Sequence, residues 1–288
     1  MQTLKFADCN REFQDAKIVI LGVPFDATSS FRAGSRHAPN AVREASWNFE
    51  SYIQELDVDL AALPVCDLGN LEEFGKAESM LKALEFEVCK IIEKNKFPIL
   101  LGGEHTLTIG VVKALKKQYK EFSVMILDAH LDFRNEYLGV KNSHACVTRR
   151  ISEEIGCENV YSFGVRSLSK EEKVSSEKLK LKYFTVSELR EKKISNIIKN
   201  LNLKEKIYLS LDFDVIDPSF APGVSNPEPL GLNLNEILNC IKLLSSKLVG
   251  FDIVEVCPSY DNSGITSILA AKTIQYLVAS VWRVSKIE

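Results

Sequence analysis

The chain has 288 residues, 45% of them hydrophobic and 26% charged, with a formal net charge of −3. That composition suits a folded protein with a substantial core, and the scattered basic residues exclude an electrostatic footprint for nucleic acid. The seven cysteines (Cys9, Cys66, Cys89, Cys146, Cys157, Cys240 and Cys257) are odd in number and form no Cys-x-x-Cys pair, which favours reduced thiols and a cytoplasmic protein over a disulfide framework.

The opening residues 1–13 contain no apolar run of signal-peptide type. From there, short apolar runs alternate with helical patterns. Hydrophobic periodicity predicts a strand over 17–22, helices over 39–50 and 73–94, a strand over 98–101 and a helix over 106–119. Strands follow over 123–127, 160–164 and 180–185, then a helix over 186–201 and a strand over 206–211. The last three elements are a helix over 235–246, a strand over 248–254 and a helix over 265–284. Several strands are apolar on both faces, as central strands of a parallel sheet are. The alternation implies right-handed crossovers and a three-layer α/β/α sandwich with a mainly parallel central sheet. No linker or repeat interrupts it, so 1–288 reads as one domain. Segments 24–36 and 217–231 read as loops. The final helix approaches membrane-spanning length, but Lys272, Gln275 and Arg283 make it a buried helix rather than a span.

Two segments carry the chemistry. Ile-Leu-Asp-Ala-His-Leu-Asp (126–132) presents Asp128, His130 and Asp132, and Ser-Leu-Asp-Phe-Asp-Val-Ile-Asp-Pro (210–218) presents Asp212 and Asp214. Side chains at i and i+2 share one face of extended chain. Four carboxylates crowded together repel and are forced to take up protons unless cations neutralise them. Two divalent ions would do so, which points to a two-metal hydrolytic site. His105, Asp128, Asp212 and Glu255 each follow a predicted strand, and open α/β sheets bind ligands beyond the carboxyl ends of their strands. No G-x-x-x-x-G-K-[ST], G-x-G-x-x-G or G-x-S-x-G segment is present, which argues against a P-loop nucleotidase, a Rossmann dehydrogenase and a serine hydrolase. A two-metal phosphoesterase would want clustered Arg or Lys, which these motifs lack.

Gly-Gly-Glu-His (102–105), Asp-Ala-His-Leu-Asp (128–132), Ser-His-Ala (143–145), the 210–218 segment and Gly-Phe-Asp-Ile-Val-Glu-Val (250–256) occur in this order. Together with Phe-Arg-Ala-Gly-Ser-Arg-His-Ala-Pro (31–39), they resemble the ureohydrolases, the family of arginase and agmatinase. The resemblance implies an arginase-like fold, two Mn²⁺ ions, and hydrolysis of a small cationic guanidino substrate at a C–N bond to urea and an amine. It implies one metal held by His105, Asp128, Asp132 and Asp212, and another by His130, Asp128, Asp212 and Asp214, with Asp128 and Asp212 bridging. The donor types alone leave Zn²⁺, Co²⁺ or Fe²⁺ open. His144 is the implied proton donor or shuttle, its charge change lying near neutral pH. Glu255, set in an apolar strand, is the natural partner of a guanidinium. Asp217 and Asp252 read as organising groups, and Glu104 as a backbone-positioning residue outside the metal set. The family implies a homotrimer or homohexamer, with neither nucleic acid nor membrane as a partner.

Substrate choice turns on Phe-Arg-Asn-Glu-Tyr-Leu-Gly (133–139), which lacks the Asn-Thr-Pro segment of similar arginases. Ala-Pro-Gly-Val-Ser-Asn-Pro-Glu-Pro (221–229) looks more like agmatinase. The expectation is agmatine, giving urea and putrescine, with Glu136 meeting its distal ammonium. Arg134 could bind a carboxylate, which keeps guanidinobutyrate, formiminoglutamate and arginine as alternatives. A non-catalytic homologue acting as a binding protein is disfavoured, because all six metal positions, His144 and Glu255 are filled.

Overall fold

Residues 4–285 are described by a computed structural model. The elements run β1 (Ile18–Val23), α1 (Ala38–Ser46), β2 (Tyr52–Ile53), β3 (Val58–Asp59), β4 (Val65–Asn70), α2 (Ala77–Glu93), β5 (Phe97–Gly102), α3 (Leu107–Gln118) and β6 (Ser123–Leu127). They continue with α4 (Val147–Ile155), β7 (Val160–Val165), α5 (Lys170–Leu179), β8 (Lys182–Thr185), α6 (Val186–Lys192), α7 (Ile194–Lys199), β9 (Ile207–Asp212), α8 (Leu234–Leu244), β10 (Leu248–Val254) and α9 (Ile265–Ser285).

Eight strands form one sheet in the order β4-β1-β5-β10-β9-β6-β7-β8, and every pairing within it is parallel. β2 and β3 make a small antiparallel pair outside it. Alternate strand residues bury on opposite faces, as the pleat requires. Met125, Leu127, Leu209 and Leu211 pack in a core with residues of α1, α8 and α9. Val124, Ile126 and Tyr208 pack on the other face with residues of α2, α3 and α4. The three-layer expectation therefore holds. α9 is long and apolar enough to cross a membrane, but 72% of its apolar window is buried inside the protein.

The structure corrects several elements. The helix expected over 186–201 breaks into α6 and α7 at Lys193, whose φ of 64° no helix can accommodate. The helix expected over 39–50 ends at Ser46. β4 is absent from the sequence expectations because Asp67, Gly69 and Asn70 interrupt its apolar pattern. α4 is absent because it is short and rich in charge, although Val147 and Ile151 give it a buried face, and α5 is absent because its apolar stripe is weak.

Candidate metal centre

Four strands that are neighbours in the sheet, β5, β10, β9 and β6, end level with one another and build the site. Ile253 pairs with Leu101, Val254 with Asp212 and Leu211 with Leu127. Asp212 closes β9, and just past the other three ends stand His105, Glu255 and Asp128. The turn after β5 must pass close to another chain segment: a Cβ on Gly103 would lie 2.0 Å from the Phe25 carbonyl oxygen. Only glycine allows the Gly103 and Glu104 amides to donate to the Val23 and Phe25 carbonyls at 3.0 and 2.7 Å. Asp132 and Glu255 hold φ of 50° and 64°, each a strain of about 1–3 kcal/mol for a residue with a side chain. Strain of this kind gathers at functional sites.

The side chains converge. His105 Nδ1 lies 3.2 Å from Asp128 Oδ2, 3.2 Å from Asp132 Oδ2 and 3.4 Å from Asp212 Oδ2. His130 Nδ1 lies 2.8 Å from Asp214 Oδ2 and 3.7 Å from Asp128 Oδ1. His105, Asp128 and Asp132 form one group with metal-ligand spacing, and Asp128, His130 and Asp214 form a second. Asp128 belongs to both groups. Asp212 stands beside the first through Oδ2, while its Oδ1 accepts from the Asp214 amide at 2.9 Å.

Two buried atoms at the centre, His105 Nδ1 and Asp128 Oδ2, have no hydrogen-bond partner among the described residues. Such orphans are costly unless something fills the gap between them. Burial, then Asp128, pushes the Asp132 carboxyl up to about 8. Burial, then Asp214 and Asp128, drives Asp212 well above the usual carboxylate range. Burial opposes a charge on His130, but Asp214 and Asp128 outweigh it and raise its affinity for a proton. The cluster lacks positive charge, and imidazole nitrogens with carboxylate oxygens suit a divalent ion. The far side of His105 is anchored: Nε2 is 3.0 Å from Ser210 Oγ, which donates to Asp252 Oδ1 at 2.6 Å. Tyr208 and Thr108 donate to Asp252 Oδ2. That support turns Nδ1 toward the carboxylates.

A cavity of about 290 Å³ opens over the cluster. His130, Asp132, Asp212 and Asp214 line its floor, with His144 and Glu255 beside them and Arg134 farther out. The buried Glu255 accepts the His105 amide on Oε1 at 2.8 Å, while Oε2 makes no hydrogen bond among the described residues. Burial pushes this carboxyl up to about 7. The ring of His144 is held at both nitrogens, 3.2 Å from Thr28 Oγ1 and 3.3 Å from Ser30 Oγ. Burial lowers its pKa. Arg134 reaches to 3.5 Å from Glu172.

Glu136 is not brought in. It is exposed, follows the exposed Asn135, and does not line the cavity. The buried carboxylate on that wall is Glu172, which sequence reasoning missed along with α5. The signal was the capping box Ser169-x-x-Glu172, whose reciprocal hydrogen bonds start the helix. Tyr137, Thr28 and Ser30 were also missed, being ordinary loop residues until the fold sets them around His144.

The sequence pattern of the arginase family matches residues 16–279. An agmatinase of Bacillus cereus is 35% identical over 277 residues, covering 95% of this chain and 94% of its own. The N(1)-aminopropylagmatine ureohydrolase of Thermococcus kodakarensis is 37% identical over 287 residues, covering 97% and 96%. The crystal structure of the agmatine ureohydrolase of Thermoplasma volcanium superposes with a TM-score of 0.95 at 41% identity, covering 100% of this chain and 97% of that one. With the strand-end cluster in place and similarity running along nearly the whole length, the chain belongs to the arginase family of ureohydrolases.

Proposed function

We propose that the protein hydrolyses agmatine to urea and putrescine with two Mn²⁺ ions, as a cytoplasmic homotrimer or homohexamer. The observation that carries the reading is the pair of orphaned buried atoms, His105 Nδ1 and Asp128 Oδ2, at the centre of a carboxylate cluster that faces a cavity. His105, Asp128, Asp132 and Asp212 would hold one ion, and His130, Asp128, Asp212 and Asp214 the other. Bound there, the ions supply an acidified water and fixed positive charge.

The protein's own groups do the rest. The free Glu255 Oε2 accepts an N–H of the guanidinium and orients it over the cluster floor. Water adds its hydroxyl to the guanidino carbon and gives up its other proton, which His144 takes up. The bond from that carbon to the alkyl nitrogen breaks, the leaving amine takes a proton, and the added hydroxyl loses its own as the C=O of urea forms. His144 delivers the amine's proton from Nε2, the ring nitrogen beside Ser30 at the cavity wall.

The distal end of the cavity supports agmatine. Arg134 is the cation there, and its charge is already engaged by the buried Glu172, so its pull on a substrate carboxylate is weakened. Guanidinobutyrate, formiminoglutamate and arginine each carry such a carboxylate. A second reading, N(1)-aminopropylagmatine, is favoured by the Thermococcus kodakarensis relative of that name. Side-by-side kinetics on these five compounds decide the matter. Agmatine should have the highest kcat/KM, and an equal or higher value for any carboxylate-bearing compound overturns the assignment.

A further inference from the structure

Glu104 sits next to the metal cluster but turns away from it. Its side chain is buried and meets only donors: the Thr28 amide on Oε2 at 2.7 Å, the Thr28 hydroxyl on Oε1 at 2.5 Å, and the Thr106 hydroxyl on Oε1 at 2.5 Å. Ser29 Oγ adds a long contact to Oε2 at 3.5 Å. The loop that carries Thr28 is closed on itself, because Asp26 accepts from the Gly34 amide at 2.8 Å and from Arg36 Nε at 2.5 Å. Glu104 therefore grips a preformed loop, and Thr28 has little freedom to turn.

The hydrogen-bond inventory of Thr28 has a consequence for His144. A hydroxyl has one proton to donate, and the Thr28 hydroxyl gives it to Glu104. Toward His144 it can then only accept. It accepts the His144 amide at 3.1 Å and faces the ring Nδ1 at 3.2 Å. The other neighbour of Nδ1 is Ser143 Oγ at 3.4 Å, which can also accept. Nδ1 is therefore the nitrogen that carries hydrogen in the neutral ring. Nε2, with Ser30 Oγ at 3.3 Å as a possible donor, is left with its lone pair.

We infer that Thr28, gripped by Glu104, is a positioning residue that fixes His144 as the Nδ1–H tautomer, so that Nε2 alone takes up and passes on the proton. The inference rests on the reading of His144 as proton donor. A neutral ring with its hydrogen on Nε2 has no lone pair there to take up the proton that it must pass to the leaving amine, however well the substrate is bound. Thr28 belongs to neither metal-ligand group and does not itself line the cavity, which it meets through His144, so its effect should fall on turnover and not on binding.

The test is agmatine turnover by the Mn²⁺-loaded full chain, with metal content measured for each variant. Thr28→Val keeps the shape and removes the hydroxyl. It should lower kcat by about 10²-fold, with KM within about threefold and both metals retained, the scale of a misplaced acid–base group. Thr28→Ser keeps the hydroxyl and should stay within about threefold of the parent kcat. Equal loss in the two variants, or an intact kcat in Thr28→Val, overturns the inference. His144→Ala separates it from the reading beneath. Full activity in His144→Ala sinks the proton-donor role itself, whereas loss in His144→Ala with none in Thr28→Val sinks only the positioning role. In the double variant Thr28→Val/His144→Ala, kcat should be no lower than in His144→Ala, because groups that act as one unit are not additive. A further drop means that Thr28 acts by another route. If Thr28→Val does not fold, Glu104→Gln serves instead. Its amide can donate to Thr28, release the hydroxyl proton toward Nδ1, and should lower kcat with KM and metals unchanged; an unaltered kcat contradicts the inference.

Discussion

Two buried charge clusters in this molecule differ in one respect. At the sheet edge, Arg43 is wholly buried, and its guanidinium makes five hydrogen bonds. Nε and Nη2 meet the Asp67 carboxylate at 2.8 Å each, Nη1 meets Asn70 and the Pro39 carbonyl, and Nη2 meets the Gly69 carbonyl. Asp67 also accepts the Phe6 and Gly69 amides. Charges and hydrogen bonds are complete there, so the cluster fastens β4 to α1. At the strand ends, four buried carboxylates crowd around two imidazoles and leave His105 Nδ1 and Asp128 Oδ2 unpartnered. Burial alone does not distinguish architecture from a site. Incompleteness within a cluster of crowded carboxylates does, because like charges buried together with unsatisfied ligand atoms call for a cation to bind.

The contrast can be broken by matched substitutions. The largest effect is expected for Asp128→Asn, whose carboxylate belongs to both ligand groups. Activity should fall at least about 10³-fold, a loss of several kcal/mol of transition-state stabilisation, and further than in Asp132→Asn. The metal-free Asp212→Asn protein should be as stable as its parent or more so, since burial, Asp214 and Asp128 all disfavour a charge at that position. Asp67→Asn should do the opposite. Denaturant unfolding should show a loss of about 3–5 kcal/mol, the cost of stranding a buried partner, while the folded fraction keeps its metals. If the stability effects were reversed, the distinction between complete and incomplete clusters would fail.

Acidity gives a smaller handle. Burial raises the Glu255 carboxyl to about 7, so it is neutral below that pH and charged above it. A raised carboxyl pKa therefore weakens guanidinium binding as pH falls. The inhibition constant of guanidinium ion should rise by about tenfold per pH unit below about 7, with metal content held constant. A flat profile would remove Glu255 from substrate binding. The smallest effect is expected at Glu136, which lies exposed outside the cavity. Glu136→Gln should change kcat/KM for agmatine by no more than about twofold, as exposed charges do, and a loss of tenfold or more would put Glu136 back at the distal end.

The metal-type residues can be read from the sequence because their information is local. A period of two at the end of an apolar run puts Asp128, His130 and Asp132 together whatever surrounds them. That Asp128 and Asp212 should share a rim also follows from strand ends alone. The strand order does not, because β5 pairs with β10 across most of the chain's length. Nor does the distal wall. Glu136 is near the motif in sequence, yet the wall takes its carboxylate from Glu172, delivered by a polar helix whose apolar stripe is too thin to read. Glu104 is legible as a backbone-positioning residue, but its partner Thr28 is not, because their chemistry is a hydrogen-bond chain across 76 residues that only the folded loop closes.

The account depends most on the strand-end cluster holding two ions that the reaction requires. Elemental analysis and product release by the same sample of full chain test this directly. The account predicts two equivalents of divalent metal per chain, loss of urea release from agmatine when chelator removes them, and its return with Mn²⁺. Full urea release by protein verified to be metal-free would contradict it.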